Sequence, residues 1–403
     1  MIRFIINFLL IKFFQLSQSF IKKENIIILH SHDYQSYKSN TKYLFEYFSK
    51  YLTDYKVYYV TENEEIQKYI KNNNMKYITI KNRLTYLLTA VKSIFIINAG
   101  TNFFNPYNIS LDKKVIKICT MHGNSPKTIP TTFDTFEKNM MEFNNFNAFD
   151  YINFNNDYCG MKIGRRNFRL PKQKIITLGS PQCDQYFDKN IVNKKYKKKL
   201  WSKKLNYNFN SDAKVILYTP TWRPYDYPIP LKKLDDFNWN DFNYFLEKNN
   251  AFFYYSLHSM QNYQNQYLDL IYENTHIKFI DENYFNMYDP NEFLNEVDCL
   301  INDYSNISTD FALLNRPQLF VIPDYDEYDY HKGFIEDYKS LMPGYTVNNF
   351  NELSSSILEC IFKPDIYLDK YKNIQSNLLH KYYNIKNTNS CESFLNFIKY
   401  LNQ

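Results

Sequence analysis

Short apolar runs alternate with helix-spaced segments twice along this chain, and that alternation limits the fold more than any other feature. Residues 25–29 (NIIIL), 57–60, 77–80, 93–98, 114–119 and 175–178 read as strands. Segments 41–51, 65–71 and 84–91 between them have helical spacing. A second set follows, with strands at 215–219 (VILYT), 252–257 (FFYYSL), 277–280, 299–302 and 318–322, and a helix at 305–314. The tail, 352–362 and 374–401, is helical. Strands buried on both faces read as unbroken apolar runs, and helical crossovers keep them parallel. Two such α/β units facing one another leave a cleft where ligands bind at the carboxyl ends of the strands. No internal repeat or long low-complexity tract interrupts the pattern.

The length, 403 residues, fits two domains, and 44% apolar content is enough for sizeable cores. Disordered chains and small disulfide scaffolds are thereby excluded. The six cysteines are scattered without a CxxC pair, so neither a zinc site nor a disulfide framework is indicated. A net charge of +6 is mild and does not demand a nucleic-acid partner. Lys, Asn, Ile, Tyr and Phe dominate, as an AT-rich coding sequence produces, whereas Gly and Arg number 7 each. Against that bias Gly123, Gly179, Gly333, Gly344, Arg223, His122 and His258 stand out.

Two segments suggest a surface. Residues 1–20 are apolar but interrupted by Asn7, Lys12 and Gln15, which disfavours a membrane span. At 100° per residue Arg3, Asn7, Gln15 and Gln18 share one arc, so we expect a helix lying in a membrane interface, with packing on the protein or a partner as the other reading. Residues 189–204 hold eight Lys and no acid. They read either as a solvated linker helix or as a surface for anionic lipid headgroups or an anionic polymer. Specific nucleic-acid readout is not expected from a bare Lys run.

Five segments could bear chemistry. MHGNSPKT (121–128) follows a strand; Ser125 is a plausible N-cap and Gly123 lets backbone approach a ligand. His122 on that turn could take a proton from a hydroxyl. In VILYTPTWRP (215–224) Thr221 and Arg223 follow a strand, and a guanidinium fork suits a phosphate. SLHS places His258 at a third strand end. In LINDYSNISTDFALL (300–314) Asp303 ends a strand, and Ser305, Asn306, Ser308 and Thr309 open a helix whose N-terminus suits a pyrophosphate. The acidic, aromatic run 323–344, with Asp326 and Lys332, could reach polyol hydroxyls. Each also has a plain structural reading: a loop histidine, a surface ion pair, ordinary capping or a surface loop. No Walker A or GxGxxG motif is present.

In order, MHGNSPKT, LGSPQCD, VILYTPTWRP, SLHS, INDYSNISTDFALLNRP and DYDEYDYHKGF…MPG resemble the CDP-glycerol glycerophosphotransferases, the teichoic acid polymerases, primases and capsule-polymer relatives, over residues 90–345. The resemblance implies a GT-B-like fold, with two Rossmann-like domains about a central cleft, to which the residue pattern of 1–20 adds an N-terminal membrane-interface helix. It implies transfer of glycerol phosphate or a related polyol phosphate from a CDP-activated donor to a lipid-linked or polymeric acceptor, with release of CMP, at the cytoplasmic face of the membrane. By position His122 matches the base and His258 a phosphate-contacting histidine. Thr221, Arg223, Ser305, Asn306, Ser308 and Thr309 fall near the donor phosphates, and Asp303 falls near the polyol or the framework. Gly123, Ser125, Lys127, Thr128, Asp326 and Lys332 are acceptor or loop candidates. The chain departs from the family pattern at Asn124-Ser125, Gln182, Ser259 and Lys332. No cofactor and no obligatory metal are expected, and the oligomeric state stays open. The expected layout is 1–24 membrane-interface segment, 25–188 acceptor domain, 189–212 basic linker, 213–385 donor domain and 386–403 terminal helix. A GT-B glycosyltransferase using a nucleotide sugar and a non-catalytic membrane scaffold are the alternatives.

Overall fold

The computed structural model describes residues 12–14, 16–100, 111–123, 127, 146–187, 212–223, 225, 229–257, 272–280, 289–383 and 388–403. Two parallel sheets organise them. In the first, β1 (Ile26–His30), β2 (Lys56–Val60), β3 (Lys76–Ile78), β4 (Phe95–Asn98), β5 (Ile116–Cys119), β6 (Tyr151–Asn153) and β7 (Ile175–Ile176) lie in the order β3-β2-β1-β4-β5-β6-β7. In the second, β8 (Lys214–Tyr218), β9 (Ala251–Tyr255), β10 (Ile277–Phe279), β11 (Cys299–Asn302), β12 (Gln318–Phe320) and β13 (Tyr345–Thr346) lie in the order β10-β9-β8-β11-β12-β13. Every residue of β1, β9 and β11 is buried, as helices on both faces require. Register is shared across the centre, with Ile28 opposite both Tyr58 and Ile96.

Each order reverses once, between β1 and β4 and between β8 and β11. Crossovers leave in opposite directions there and open a crevice at the carboxyl edge. The abundant asparagines serve the helices between strands. Asn63, Asn82, Asn238, Asn349 and Asn389 each accept a backbone N–H in the first turn of a helix, which satisfies donors that a helix start leaves open.

Three expectations change. Strands β6 and β13 lie outside the expected set. The tail beyond 374 is not one helix but the ends of two, Pro364–Tyr382 and Ser390–Leu401. The chain breaks there because the last helix crosses back: Phe394, Leu395 and Ile398 pack with Ile27 and Leu29 of β1 and with Phe45 of the helix Ser39–Tyr51. The helix expected at 305–314 is shorter, Ile307–Ala312. The two halves share a seam. Met121, Phe149, Val215, Leu300 and Phe311 belong to one buried cluster, and Tyr158 donates to Glu336 at 3.0 Å across it. The basic linker 189–204 and residues 1–11 lie outside the described residues.

Candidate active site

Strands β1, β4 and β5 end on one edge of the first sheet. His32 follows β1, Gly100 follows β4 and His122 follows β5. The His122 and His32 rings meet edge-on, with centroids 4.7 Å apart and planes at 78°. A Cβ on Gly100 would sit 2.7 Å from His32 Nδ1, so only glycine leaves His32 this place. His122 is flanked by Met121 at φ 55° and Gly123 at φ 144°, both in the left-handed half of backbone space. Both rings remain open to solvent although protein crowds them, as in the wall of a cleft. That crowding, with positive charge from Lys127 and Lys38, holds the His122 imidazole down to about 4. The same crowding, reinforced by His122, Lys38 and His30, also holds His32 well below its ordinary value. Each ring is therefore neutral near pH 7 and able to accept a proton.

The facing edge of the second sheet is built differently. Arg223 is 2% exposed and its fork closes on two carboxylates. Nε donates to Asp324 Oδ2 at 2.5 Å and Nη1 to Asp303 Oδ2 at 2.7 Å. Nη2 donates to Asp324 Oδ1 at 3.1 Å, and Nη1 also reaches the Thr221 carbonyl at 2.7 Å. Thr221 gives both its N–H, at 2.8 Å, and its hydroxyl, at 2.7 Å, to Asp303. Tyr304 and Tyr225 donate to Asp324 at 3.1 and 2.8 Å, and Tyr338 to the Asp303 carbonyl at 2.6 Å. Burial pushes the Asp324 carboxyl up, but the Arg223 guanidinium outweighs it and holds it below its usual range. The expectation that Arg223 clamps the donor phosphates is corrected here, because two carboxylates already occupy its fork. Thr221 and Asp303 belong to the same framework, turned inward.

The short helix Ile307–Ala312 also differs from expectation. Its N-cap is Asn306, not Ser305, and Asn306 makes no side-chain cap. Ser308 is buried and donates to Gln318 Oε1 at 2.7 Å, while Thr309 donates to the Asn306 carbonyl at 2.7 Å. Neither hydroxyl faces the cleft. Ser305 and Asn306 are half-buried at its mouth. Asn306 Oδ1 is buried without a hydrogen bond, and a Cβ on Gly123 would stand 3.4 Å from Asn306 Nδ2. The His122 turn of one sheet thus touches the leading end of this helix in the other.

Lys127 forms an antiparallel bridge with Phe334, which brings the MHGNSPKT segment onto the acidic, aromatic run. Burial holds the Lys127 ammonium down to about 8; Asp303 opposes this, and Lys332 and Arg223 reinforce it. The Lys332 ammonium lies 4.5 Å from the Trp222 ring centroid. Asp326 is exposed on the helix Tyr325–His331, and the carboxylate of that run that enters the site framework is Asp324. Ser125, Thr128 and His258 lie outside the described residues. Sequence reading missed His32 and Asp324. His32 had a signal, since HSHD follows the first apolar strand directly at a sheet centre; Asp324 had none beyond lying in an acidic run.

The sequence matches the profile of CDP-Glycerol:Poly(glycerophosphate) glycerophosphotransferase over residues 10–400. It is 27% identical to the teichoic acid poly(glycerol phosphate) polymerase of Staphylococcus epidermidis over 387 residues, 89% of this chain and half of that protein. It is 26% identical to the teichoic acid glycerol-phosphate primase of Bacillus subtilis over 378 residues, 91% of this chain and 90% of that one. In structure it is similar to the wall teichoic acid polymerase TagF soaked with CDPG, with a TM-score of 0.75 at 22% identity, over 99% of this chain and 96% of that one. It is also similar to the UDP-GlcNAc 2-epimerase of Methanocaldococcus jannaschii, with a TM-score of 0.54 at 12% identity, over 93% and 99%. Both likenesses are of fold, and with the two facing parallel sheets they make the architecture GT-B-like. The chain belongs to the CDP-glycerol:poly(glycerophosphate) glycerophosphotransferase family, the transferases of teichoic acid synthesis.

Proposed function

We propose that an acceptor hydroxyl, on a lipid-linked primer or a growing polymer, loses its proton to His122 and attacks the glycerol-bearing phosphorus of CDP-glycerol or a related CDP-polyol. The new bond is O–P, the bond to the CMP phosphate breaks, and CMP leaves with the electron pair. The supporting observation is the approach of Gly123 to Asn306, which sets a neutral imidazole against the other half of the cleft. Phosphoryl transfer needs positioning and cationic stabilisation more than covalent help. With Arg223 enclosed, we assign that charge to Lys127 and Lys332, with Ser305 and Asn306 as polar contacts. The reading includes no obligatory metal, because Asp303 and Asp324 are already taken by Arg223, Thr221 and Tyr225. The test is to incubate the protein with CDP-glycerol or CDP-ribitol and a glycerol-phosphate-primed acceptor, with and without EDTA, and to identify the nucleotide released. CMP with chain growth supports it; a nucleoside diphosphate, or no turnover, overturns it.

Attachment to the cytoplasmic face of a membrane is part of the same reading. Among the described residues no helix is long and apolar enough to cross a membrane. Phe14 is buried against Leu87 and Val91 of the helix Arg83–Lys92, while Phe13, Leu16 and Phe20 are 64%, 76% and 91% exposed, and Leu84 and Leu88 of that helix are exposed as well. Such a stripe suits insertion among headgroups, and the Lys run 189–204 suits anionic lipid. Removing residues 1–20 is expected to weaken binding to anionic vesicles and the use of membrane-embedded acceptor, and to spare turnover of a short soluble acceptor. Equal vesicle binding by the truncated and full chains would end the anchor reading.

A further inference from the structure

Asn40 is the second residue of the helix Ser39–Tyr51 and is 2% exposed. Its carboxamide has two N–H donors and two acceptor positions, and all four are used. Nδ2 donates to the Thr120 carbonyl at 3.2 Å and to the Met121 carbonyl at 2.9 Å. Oδ1 accepts from the Gln182 backbone N–H at 3.1 Å and from the Ser180 hydroxyl at 3.3 Å. The backbone partners on both sides fix which atom is which: two carbonyls can only meet the NH₂, and an N–H can only meet the oxygen. The two carbonyls belong to the peptides just before His122. Met121 sits at φ 55°, a strained conformation for a residue with a side chain, and hydrogen bonds to its own and the preceding carbonyl oppose its relaxation.

The contact continues into the other half of the molecule. Gln182 Nε2 donates to Asp310 Oδ2 at 2.9 Å, and Asp310 is on the helix Ile307–Ala312. That helix begins at Asn306, which faces Gly123. The chain of contacts from Met121 through Asn40, Gln182 and Asp310 to Asn306 therefore closes on the residue next to His122. None of Asn40, Gln182 or Asp310 presents a group to the cleft; all three are buried.

We infer that Asn40 is a positioning residue for His122, holding the turn that carries the imidazole and, through Gln182 and Asp310, tying it to the helix of the opposing half. The inference rests on His122 being the base. Asn40→Asp keeps the shape but turns an acceptor toward two carbonyl oxygens, so the turn must shift. A displacement of about 1 Å at a reacting group can cost on the order of 100-fold.

The test is a double-mutant cycle on the full chain, with kcat and the KM for CDP-glycerol measured for Asn40→Asp, His122→Ala and the pair, and folding followed by circular dichroism and thermal unfolding. Asn40→Asp should lower kcat by roughly 10- to 100-fold with the donor KM within about threefold of wild type. The pair should be no slower than His122→Ala alone, since a base that is absent cannot be misplaced. A multiplicative loss in the pair, an unchanged kcat, or a loss expressed in donor KM would overturn the inference. An active His122→Ala enzyme would overturn the base assignment instead, so the two failures are distinguishable. If Asn40→Asp does not fold, Gln182→Ala replaces it in the same cycle. It should lower kcat severalfold at constant donor KM, with nothing added to His122→Ala, and the opposite result has the same force.

Discussion

The two edges that face each other across the cleft use their polar residues in opposite ways. On the first sheet, His32 and His122 stand neutral, open to solvent and crowded by protein, and His122 is flanked by two residues at positive φ. On the second, Arg223, Asp303 and Asp324 form a closed set of charges with almost no exposed surface, ringed by tyrosine hydroxyls. A proton can move at the first edge. At the second, the Arg223 guanidinium and the Asp303 and Asp324 carboxylates are already matched to one another and to Thr221 and Tyr225, so these three residues supply shape. The difference teaches that rarity in a sequence marks importance without marking role: His122 and Arg223 stand out equally, and only one of them faces the cleft.

The largest expected effect is at the first edge. His122→Ala should lower turnover by about 10²- to 10⁴-fold while leaving the thermal unfolding midpoint and CDP-glycerol binding near normal. Because the turn is held by Asn40 through backbone carbonyls, loss of the imidazole leaves its frame in place. Turnover within a fewfold of wild type would remove the contrast between the edges.

The converse holds at the second edge. Asp324→Asn leaves Arg223 with one carboxylate partner in a buried site, and breaking such a pair typically costs about 3–5 kcal/mol. Arg223→Lys keeps the charge but cannot span both carboxylates. Both changes should lower stability to denaturant far more than they alter the donor KM of the protein that remains folded. For Asp324 the sign with pH follows from its depressed carboxyl. Its contribution is present above the ordinary carboxylate range and is lost as pH falls through the lowered value, so wild type and Asp324→Asn should converge in stability in acid. A raised donor KM in fully folded Arg223→Lys would return that residue to the phosphates.

How far the sequence reveals this contrast depends on the range of the contacts. The central strands were legible because burial on both faces leaves unbroken apolar runs, and the turn holding His122 was legible because it follows such a run. Strands β6 and β13, of three and two residues, exist only through their neighbours in the sheet and leave no local pattern. Arg223 meets Asp303 and Asp324 across 80 and 101 residues of chain, so nothing local shows that its fork is filled. Asn40 is one asparagine among many in an Asn-rich chain, and its four partners lie in two distant segments. The cleft was thus readable from strand ends, while the division of labour across it was not.

The smallest expected effect lies between the edges, at Lys127. Its ammonium is held down to about 8, with burial the main cause and with Lys332 and Arg223 adding positive charge. If it binds the donor phosphates, the cation is present below that value and is lost as pH rises through it. kcat/KM for CDP-glycerol should therefore fall above about pH 8, approaching tenfold per pH unit at the limit. His122, held near 4, contributes no limb in that range. Bound phosphates favour the charged ammonium, so the limb belongs to the free enzyme and should be weaker or absent in kcat. Lys127→Arg keeps a cation that does not titrate below pH 12, which should flatten the basic limb even if the bulkier fork lowers the rate at pH 7. An unchanged basic limb in Lys127→Arg would show that another group sets it. Lys127 would then belong with the framework of the second sheet, to whose acidic, aromatic run its backbone is already bridged.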